Sequence, residues 1–339
     1  MVKFIAGVLE QLDVALEHIS KGDVHNARFS LMMTDNALEL TLHRFAGDKL
    51  GELKAWDRKW DAYPHKDELL AAQGQHFDRK VKFAHTEGMI STEDKATVLS
   101  LHGFRNQLHH AGLHHEQVLP SLSAFYLDVV CRILADYRVS HWSYGSKTSV
   151  PDRARKYIST SSKTGRLMPN GQDFNRGCSE IRNRLDFDHV AMIVSIADYL
   201  DEIIEMFDYC VQTAADGPYN DSKVSRDQSI ISAQAWRAIF SDEGRAFIKK
   251  NFVRSTSVNN MADLETWMED HFPMKVRSDP VASWESRAKK IRSGRNPHSA
   301  LSSYLNFMKE TEPLRDIMQE TAGQVEAEID RMIDERRGR

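Results

Sequence analysis

An all-α fold is predicted by three features of this sequence. Apolar residues recur at spacings of three and four through the first 135 residues; Val190, Ile193, Ala197, Leu200, Ile204, Phe207 and Val211 form a regular heptad seam; and Leu314, Met318, Val325, Ile329 and Met332 mark a charged amphipathic helix at the end. These spacings keep apolar side chains on one face of a helix. At 339 residues the chain is long enough for about two domains. Its 41% apolar and 28% charged residues suit a globular protein with a sizeable core. A formal net charge of -4 argues against a surface coated in positive charge, so any nucleic-acid contact must be local. Cys131, Cys178 and Cys210 are widely spaced with no Cys-x-x-Cys pair, which fits a reducing compartment and no disulfide framework. No apolar run reaches membrane-spanning length, and Met-Val-Lys-Phe-Ile-Ala-Gly is too short for a signal peptide, so a cytoplasmic location without membrane contact is expected.

Taken in order, Phe4, Ile5, Val8, Leu9, Leu12, Leu16 and Ile19 predict a first helix that stops at Lys21-Gly22. Asp23 is placed to cap a second, whose stripe Ala27, Leu31, Asp35, Leu38, Leu42 and Phe45 ends near Gly47. Asp35 sits on the apolar face of that helix, where a carboxylate is costly unless paired. Its partner is either Arg105 or some other Arg or Lys. Trp56 and Trp60 lead to a break at Tyr63-Pro64, and a third helix runs through Leu70, Phe77, Val81 and Ala84 to Gly88. Ser91-Thr92-Glu93-Asp94 reads as an N-cap with acidic first-turn residues, opening a helix through Val98, Leu101, Phe104 and Leu108. Val118, Leu122, Phe125, Val129 and Ile133 predict a strongly apolar fifth helix. Short connections make these an antiparallel bundle over residues 1–142.

The fourth helix closes on Phe104-Arg105-Asn106-Gln107-Leu108-His109-His110. A guanidinium is always charged and forks onto phosphate oxygens, and an imidazole exchanges protons near neutral pH. Arg105-Asn106, three further residues and His110 resemble the Arg-polar-x-x-x-His signature of HEPN ribonucleases, small helical nucleases of toxin–antitoxin, abortive-infection and CRISPR-associated systems. The resemblance covers the motif and the helical run around it, roughly residues 1–140. It implies a metal-independent endoribonuclease with RNA as substrate and no cofactor. In that chemistry the 2′-OH attacks its own phosphodiester and leaves a 2′,3′-cyclic phosphate and a 5′-OH. His110 is implied as general acid or base, Arg105 as the group that holds the phosphate and its developing charge, and Asn106 as a positioner, with Asp35 and His109 in support. The same resemblance implies a toxin or antiviral effector, with an antitoxin or defence-system partner. Gly112 stands where one HEPN subfamily carries a modifiable Tyr, so regulation at that position is not expected.

On an ideal helix of about 100° per residue, Arg105 and His110 point about 140° apart, whereas Arg105 and His109 are near neighbours. Either the helix ends or bends within the motif, or a second copy completes the site. HEPN nucleases generally set two motifs face to face, which implies a homodimer with a composite active site. Plainer readings stand beside this one: an Arg near a helix end can cap carbonyls, and the bundle can be a non-catalytic RNA- or protein-binding module or a scaffold. His109, His110, His114 and His115 crowd seven residues, yet no carboxylate or cysteine pattern completes a zinc signature, so no metal is expected.

Residues 143–185 read as a basic loop or insertion carrying Arg153, Arg155 and Lys156, either an RNA-backbone contact or a solvated linker. Arg182-Asn183 with His189 passes as a longer-spaced second copy of the motif, without the helices that should precede it. The heptad helix, residues 186–212, is expected to pack on the bundle or on its twin. Residues 213–227 have linker composition, and residues 228–339 form a mainly helical C-terminal domain in which Trp236, Phe240, Phe247, Phe252, Trp267 and Phe272 supply a small second core. Within it Arg287, Lys289, Lys290, Arg292 and Arg295 cluster beside Trp284, a candidate surface for RNA or an acidic partner. No phosphate-cradling glycine loop, Gly-x-Ser-x-Gly elbow or His-Glu-x-x-His pair is present.

Overall fold

The structure is a computed structural model of the chain. It describes residues 2–55, 57–110, 116–139, 150–164, 166–218, 223–251 and 260–338, with residues 57 and 107–110 described in backbone only. Among the described residues there are fifteen helices and no strand, so the protein is all-α. They divide into two compact units, the first made of Met1–Ser195 with Arg295–His298 and the second of Ile196–Gly294 with Ser299–Arg339. The division falls inside a helix, at residue 195, and not in the 213–227 segment whose composition suggested a linker.

The first unit opens with α1 (Val2–Ser20), which buries Ile5, Val8, Leu9, Leu12 and Leu16 and is closed by Gly22 at φ +74°. Asp23 caps α2 (Val24–Lys54), its carboxylate accepting from the Asn26 N–H at 3.0 Å. This helix runs on for seven residues past Gly47, where the sequence predicted its end. A helix glycine loses only part of a propensity of about 1 kcal/mol, and Leu50 and Leu53 carry the apolar stripe onward into a cluster with Leu69, Ala72 and Phe83. A short α3 (Asp57–Ala62) ends at the Tyr63-Pro64 break, and the predicted third helix is two pieces, α4 (Lys66–Ala72) and α5 (Phe77–Thr86), because the chain turns at Gly74, whose N–H reaches the Ala71 carbonyl at 3.1 Å.

Ser91 caps α6 (Thr92–His110) as predicted, accepting from the Asp94 N–H at 3.0 Å and donating to the Asp94 carboxylate at 2.8 Å. The buried α7 (Leu119–Ala135) starts on Pro120 and hides Leu122, Phe125, Tyr126, Val129 and Ile133. Helices α1, α2 and α7 pack on one another, and α6 lies against α2, α5 and α7.

The segment expected as a loop contains two helices, α8 (Asp152–Arg155) and α9 (Asp173–Leu185). The apolar face of α9 is Phe174, Cys178, Ile181 and Leu185, set among Asp, Asn, Arg and Glu, and no side chain caps its start. Packing makes it a helix: α9 lies against α7 and α1, and Gly177 allows the approach, since a Cβ there would sit 2.6 Å from Leu9 Cδ2. Asp186 ends α9 in the left-handed region at φ +46°. Arg182 and His189 consequently fall on different helices, and Arg182 donates to Asp128 at 2.7 Å.

The helix in which the division falls, α10 (His189–Asp216), carries the heptad seam, with Ala197, Leu200, Ile204, Phe207 and Val211 buried in the second unit, while Val190, at its start, is exposed. Next come α11 (Arg226–Phe240), capped by Ser225, α12 (Asp242–Asn251), α13 (Met261–His271), α14 (Val281–Arg292) and α15 (Pro297–Arg336). Within the second unit the Phe207 ring of the seam lies 4.4 Å from Trp284, Trp284 lies 5.4 Å from Phe307, and Tyr199, beside the seam, lies 6.3 Å from Tyr304. The small aromatic core forms around Trp267 and Met268, packed with Ala235, Ala238, Ile239, Phe247 and Phe272. Phe252 lies outside the described residues, and Trp236 and Phe240 are exposed.

Candidate functional site

The densest polar constellation near the sequence motif is built on Asp35, in the middle of α2. Its apolar neighbours Leu31 and Leu38 drive that face into the bundle and carry the carboxylate in with them, to 1% exposure. A carboxylate moved there from water costs several kcal/mol unless its lone pairs are satisfied. Three side chains from two other helices satisfy it. The Tyr126 hydroxyl, on α7, donates at 2.7 Å; His102 Nδ1, on α6, lies 3.0 Å from both oxygens; and Arg105 Nε, one turn further along α6, stands 3.7 Å away. The last is an ion-pair distance, longer than a hydrogen bond. Burial first, and then the Asp35 charge, pushes the Tyr126 phenol well above its ordinary range, so it stays a donor.

Arg105 is therefore the cation that meets Asp35, as the sequence allowed, and it shares that carboxylate with two partners the sequence reading missed. The guanidinium side chain keeps 35% of its surface exposed against 1% for Asp35, so its root is held in the bundle while its head reaches solvent. Arg105 Nη1 donates to the Asn106 side-chain oxygen at 3.0 Å, and Nε has no hydrogen-bond partner. Asn106 itself is exposed. His102 is stacked on Phe77 of α5, ring centroids 4.0 Å apart at 12°. This arrangement can offer an anion a fixed guanidinium beside an imidazole held in one orientation.

His102 left a signal in the sequence: it stands three residues before Arg105 and four before Asn106, on the same helical face. Tyr126 left none, since it lies inside the apolar run of α7 and reads as core. The backbone of α6 stays helical through His110, so the helix does not end within the motif before that residue. The side chains of His109 and His110, and residues His114 and His115, lie outside the described residues.

The basic residues singled out for RNA are mostly engaged by carboxylates of this chain. Arg153 pairs with Asp13 at 3.0 Å and Glu17 at 2.6 Å, Lys156 with Asp13 at 2.7 Å, and Arg155 with its neighbour Asp152 at 3.1 Å. Arg184 joins the same Asp13 at 2.9 Å, and the Tyr157 hydroxyl also donates to it. Burial alone would push the Asp13 carboxyl up, but hydrogen bonds from Lys156, Tyr157, Arg184 and Arg153 outweigh it and hold the group at about 2. In the second unit Lys289 pairs with Glu285 at 3.4 Å, and Arg292 with Asp198 at 2.6 Å and with Asp201, while Lys290 is exposed on α14. Trp284 is buried at 6% exposure between Phe207 and Phe307, so its indole is not offered to a nucleobase.

Among the described residues no helix is long and apolar enough to cross a membrane. Compared with family models, curated proteins and solved structures, the chain matches none. Its class therefore rests on its own residues: an all-α protein whose N-terminal unit presents a helix-borne Arg anchored on a buried carboxylate.

Proposed function

We propose that the N-terminal unit is a metal-independent endoribonuclease of HEPN type, acting as a homodimer. The observation that carries this reading is the setting of Arg105, a permanent cation whose root is fixed by Asp35 and whose partly exposed head is oriented by Asn106 inside the Arg-Asn-x-x-x-His motif. RNA supplies its own nucleophile. The protein must then take the 2′-OH proton, hold the charge that gathers on the phosphate and protonate the leaving 5′-oxygen. Arg105 serves the second task and His110 one of the proton transfers, a contribution of about 10²–10⁴-fold for such a group. Because α6 is helical through the motif, Arg105 and His110 diverge by about 140° within one copy, which supports a site completed by a second copy. The engagement of Arg153, Lys156, Lys289 and Arg292 in internal ion pairs favours an RNA grip confined to the motif. The further role, a toxin or antiviral effector restrained by an antitoxin or defence partner, follows from the family resemblance alone.

The test is incubation with total RNA in excess EDTA, beside an Arg105→Ala/His110→Ala variant of matched circular dichroism and oligomeric state. Cleavage by wild type alone, leaving 2′,3′-cyclic phosphate ends, is expected. Salt-sensitive RNA binding with intact RNA in both samples would instead make this surface a binding module.

A further inference from the structure

We infer that His102 is the catalytic base of this site and that Asp35 is its positioning residue, an inference that rests on the nuclease reading above. His102 is absent from the Arg-Asn-x-x-x-His motif, and four observations bring it in. Its Nδ1 lies 3.0 Å from both oxygens of Asp35. A carboxylate only accepts, so Nδ1 carries the hydrogen and Nε2 is the nitrogen left with a lone pair. The ring plane is fixed by the Phe77 stack at 4.0 Å, and the carboxylate is fixed in turn by the Tyr126 hydroxyl at 2.7 Å. The His102 side chain keeps 19% of its surface exposed where Asp35 keeps 1%, so the imidazole bridges from core to surface.

Placement relative to Arg105 completes the argument. His102, Arg105 and Asn106 stand at i, i+3 and i+4 on α6, so Arg105 and Asn106 each lie within about 60° of His102, on either side of it, and both His102 and Arg105 contact the same carboxylate. A base and a phosphate-holding cation therefore share one face of one helix, which Arg105 and His110 do not. The charged and titratable groups contacting this imidazole's carboxylate are Arg105 from α6 and Tyr126 from α7. Lys80, the buried cation of neighbouring α5, is engaged with Glu39 at 2.6 Å.

In the step assigned to it, His102 Nε2 takes the proton of the 2′-OH as the 2′-oxygen bonds to phosphorus. The bond from phosphorus to the 5′-oxygen breaks, and that oxygen leaves with a proton from protonated His110 of the second copy. The two imidazoles then exchange their protons with water, so the cycle closes with no net proton gained or lost. Arg105 faces the non-bridging oxygens. Asp35 holds the His102 ring in one orientation through Nδ1.

The experiment compares wild type, Arg105→Ala, His102→Gln, His102→Ala and Asp35→Asn on a fluorogenic mixed-sequence oligoribonucleotide across pH. His102→Gln is expected to lower kcat by about 10²–10⁴-fold with KM nearly unchanged and to remove the acidic limb of the pH profile. Free imidazole should partly restore His102→Ala, and Asp35→Asn should lower kcat with KM nearly unchanged. A merely structural histidine would give no imidazole rescue. If Arg105→Ala abolishes cleavage while His102→Gln keeps both kcat and the acidic limb, the inference is overturned and the nuclease reading stands. If wild type cleaves no RNA, both fall. Should the His102 variants not fold, the wild-type protein decides by NMR: a 2′-O-methyl oligoribonucleotide, which binds without reacting, must shift the His102 ring resonances, and unmoved resonances overturn the assignment.

Discussion

Asp13 and Asp35 are both buried in the first unit, at 2% and 1% exposure, and they keep very different company. Asp13 collects Arg153, Lys156 and Arg184 with the Tyr157 hydroxyl, an assembly that ties α8 and α9 to α1. Asp35 has one guanidinium, at 3.7 Å, and leans on a phenol and an imidazole. The first arrangement fixes a carboxylate as a permanent anion; the second leaves a proton-exchanging ring in the circuit. Asp13→Asn should cost about 1–3 kcal/mol near neutral pH, because three donors lose their charged acceptor. The sign of its pH dependence follows from a carboxyl held at about 2 against an ordinary 3.8. A lowered value means the unfolded chain binds the proton more readily, so this stability is complete above the ordinary value and drains away as pH falls towards about 2. Urea unfolding of both proteins through that acid range is the measurement, and wild type should lose stability more steeply than Asp13→Asn. Equal slopes would remove Asp13 from the acid response. At this scale the sequence carried part of the site: it marked Asp35 as a carboxylate in need of a cation and offered Arg105. It did not reveal Tyr126, because a tyrosine inside an apolar run has the same pattern whether or not its hydroxyl meets a charge.

Among the elements, α6 and α9 were read from the sequence with opposite success, and the reason is physical. The start of α6 is written locally, in a Ser91 hydroxyl that satisfies an orphan N–H of the first turn. Little local writes α9, whose four apolar residues, Phe174, Cys178, Ile181 and Leu185, stand among polar companions and whose start has no side-chain cap. It is a helix because Phe174, Cys178 and Ile181 are buried where it meets α1 and α7, and because Gly177 lets the helices come close. Gly177→Val should therefore cost about 1–3 kcal/mol by overpacking against Leu9 and Tyr157, well beyond what a helix-propensity change would produce. Thermal melting with far-ultraviolet circular dichroism reads it. A variant as stable as wild type would show that α9 has room to move away from α1. The α2 overrun past Gly47 carries the same lesson, since Leu53, in a cluster with Leu69 and Phe83, outweighs the cost of two glycines in the helix.

For the molecule as a whole, charge bears on how the proposed nuclease would grip RNA. The net charge is -4, and four of the cations the sequence marked for RNA, Arg153, Lys156, Lys289 and Arg292, are paired within the chain. If the grip is confined to about two or three phosphates, the binding constant for a single strand should fall with salt at a log–log slope near about -2. Fluorescence anisotropy with a 2′-O-methyl oligoribonucleotide across a salt series gives that slope. A value steeper than about -4 would mean that the basic segments around Arg153 and Lys289 exchange their carboxylates for phosphates. The sequence by itself determined the helical class, the caps at Asp23 and Ser91 and the presence of a phosphate-suited motif, because periodicity, capping and residue chemistry act over a few residues. Tertiary structure alone decided which cations are engaged and which histidine shares a carboxylate with Arg105. Those pairings join Asp13 to Arg184 and Asp35 to His102, and electrostatics depends on distance in space, which separation along the chain does not encode.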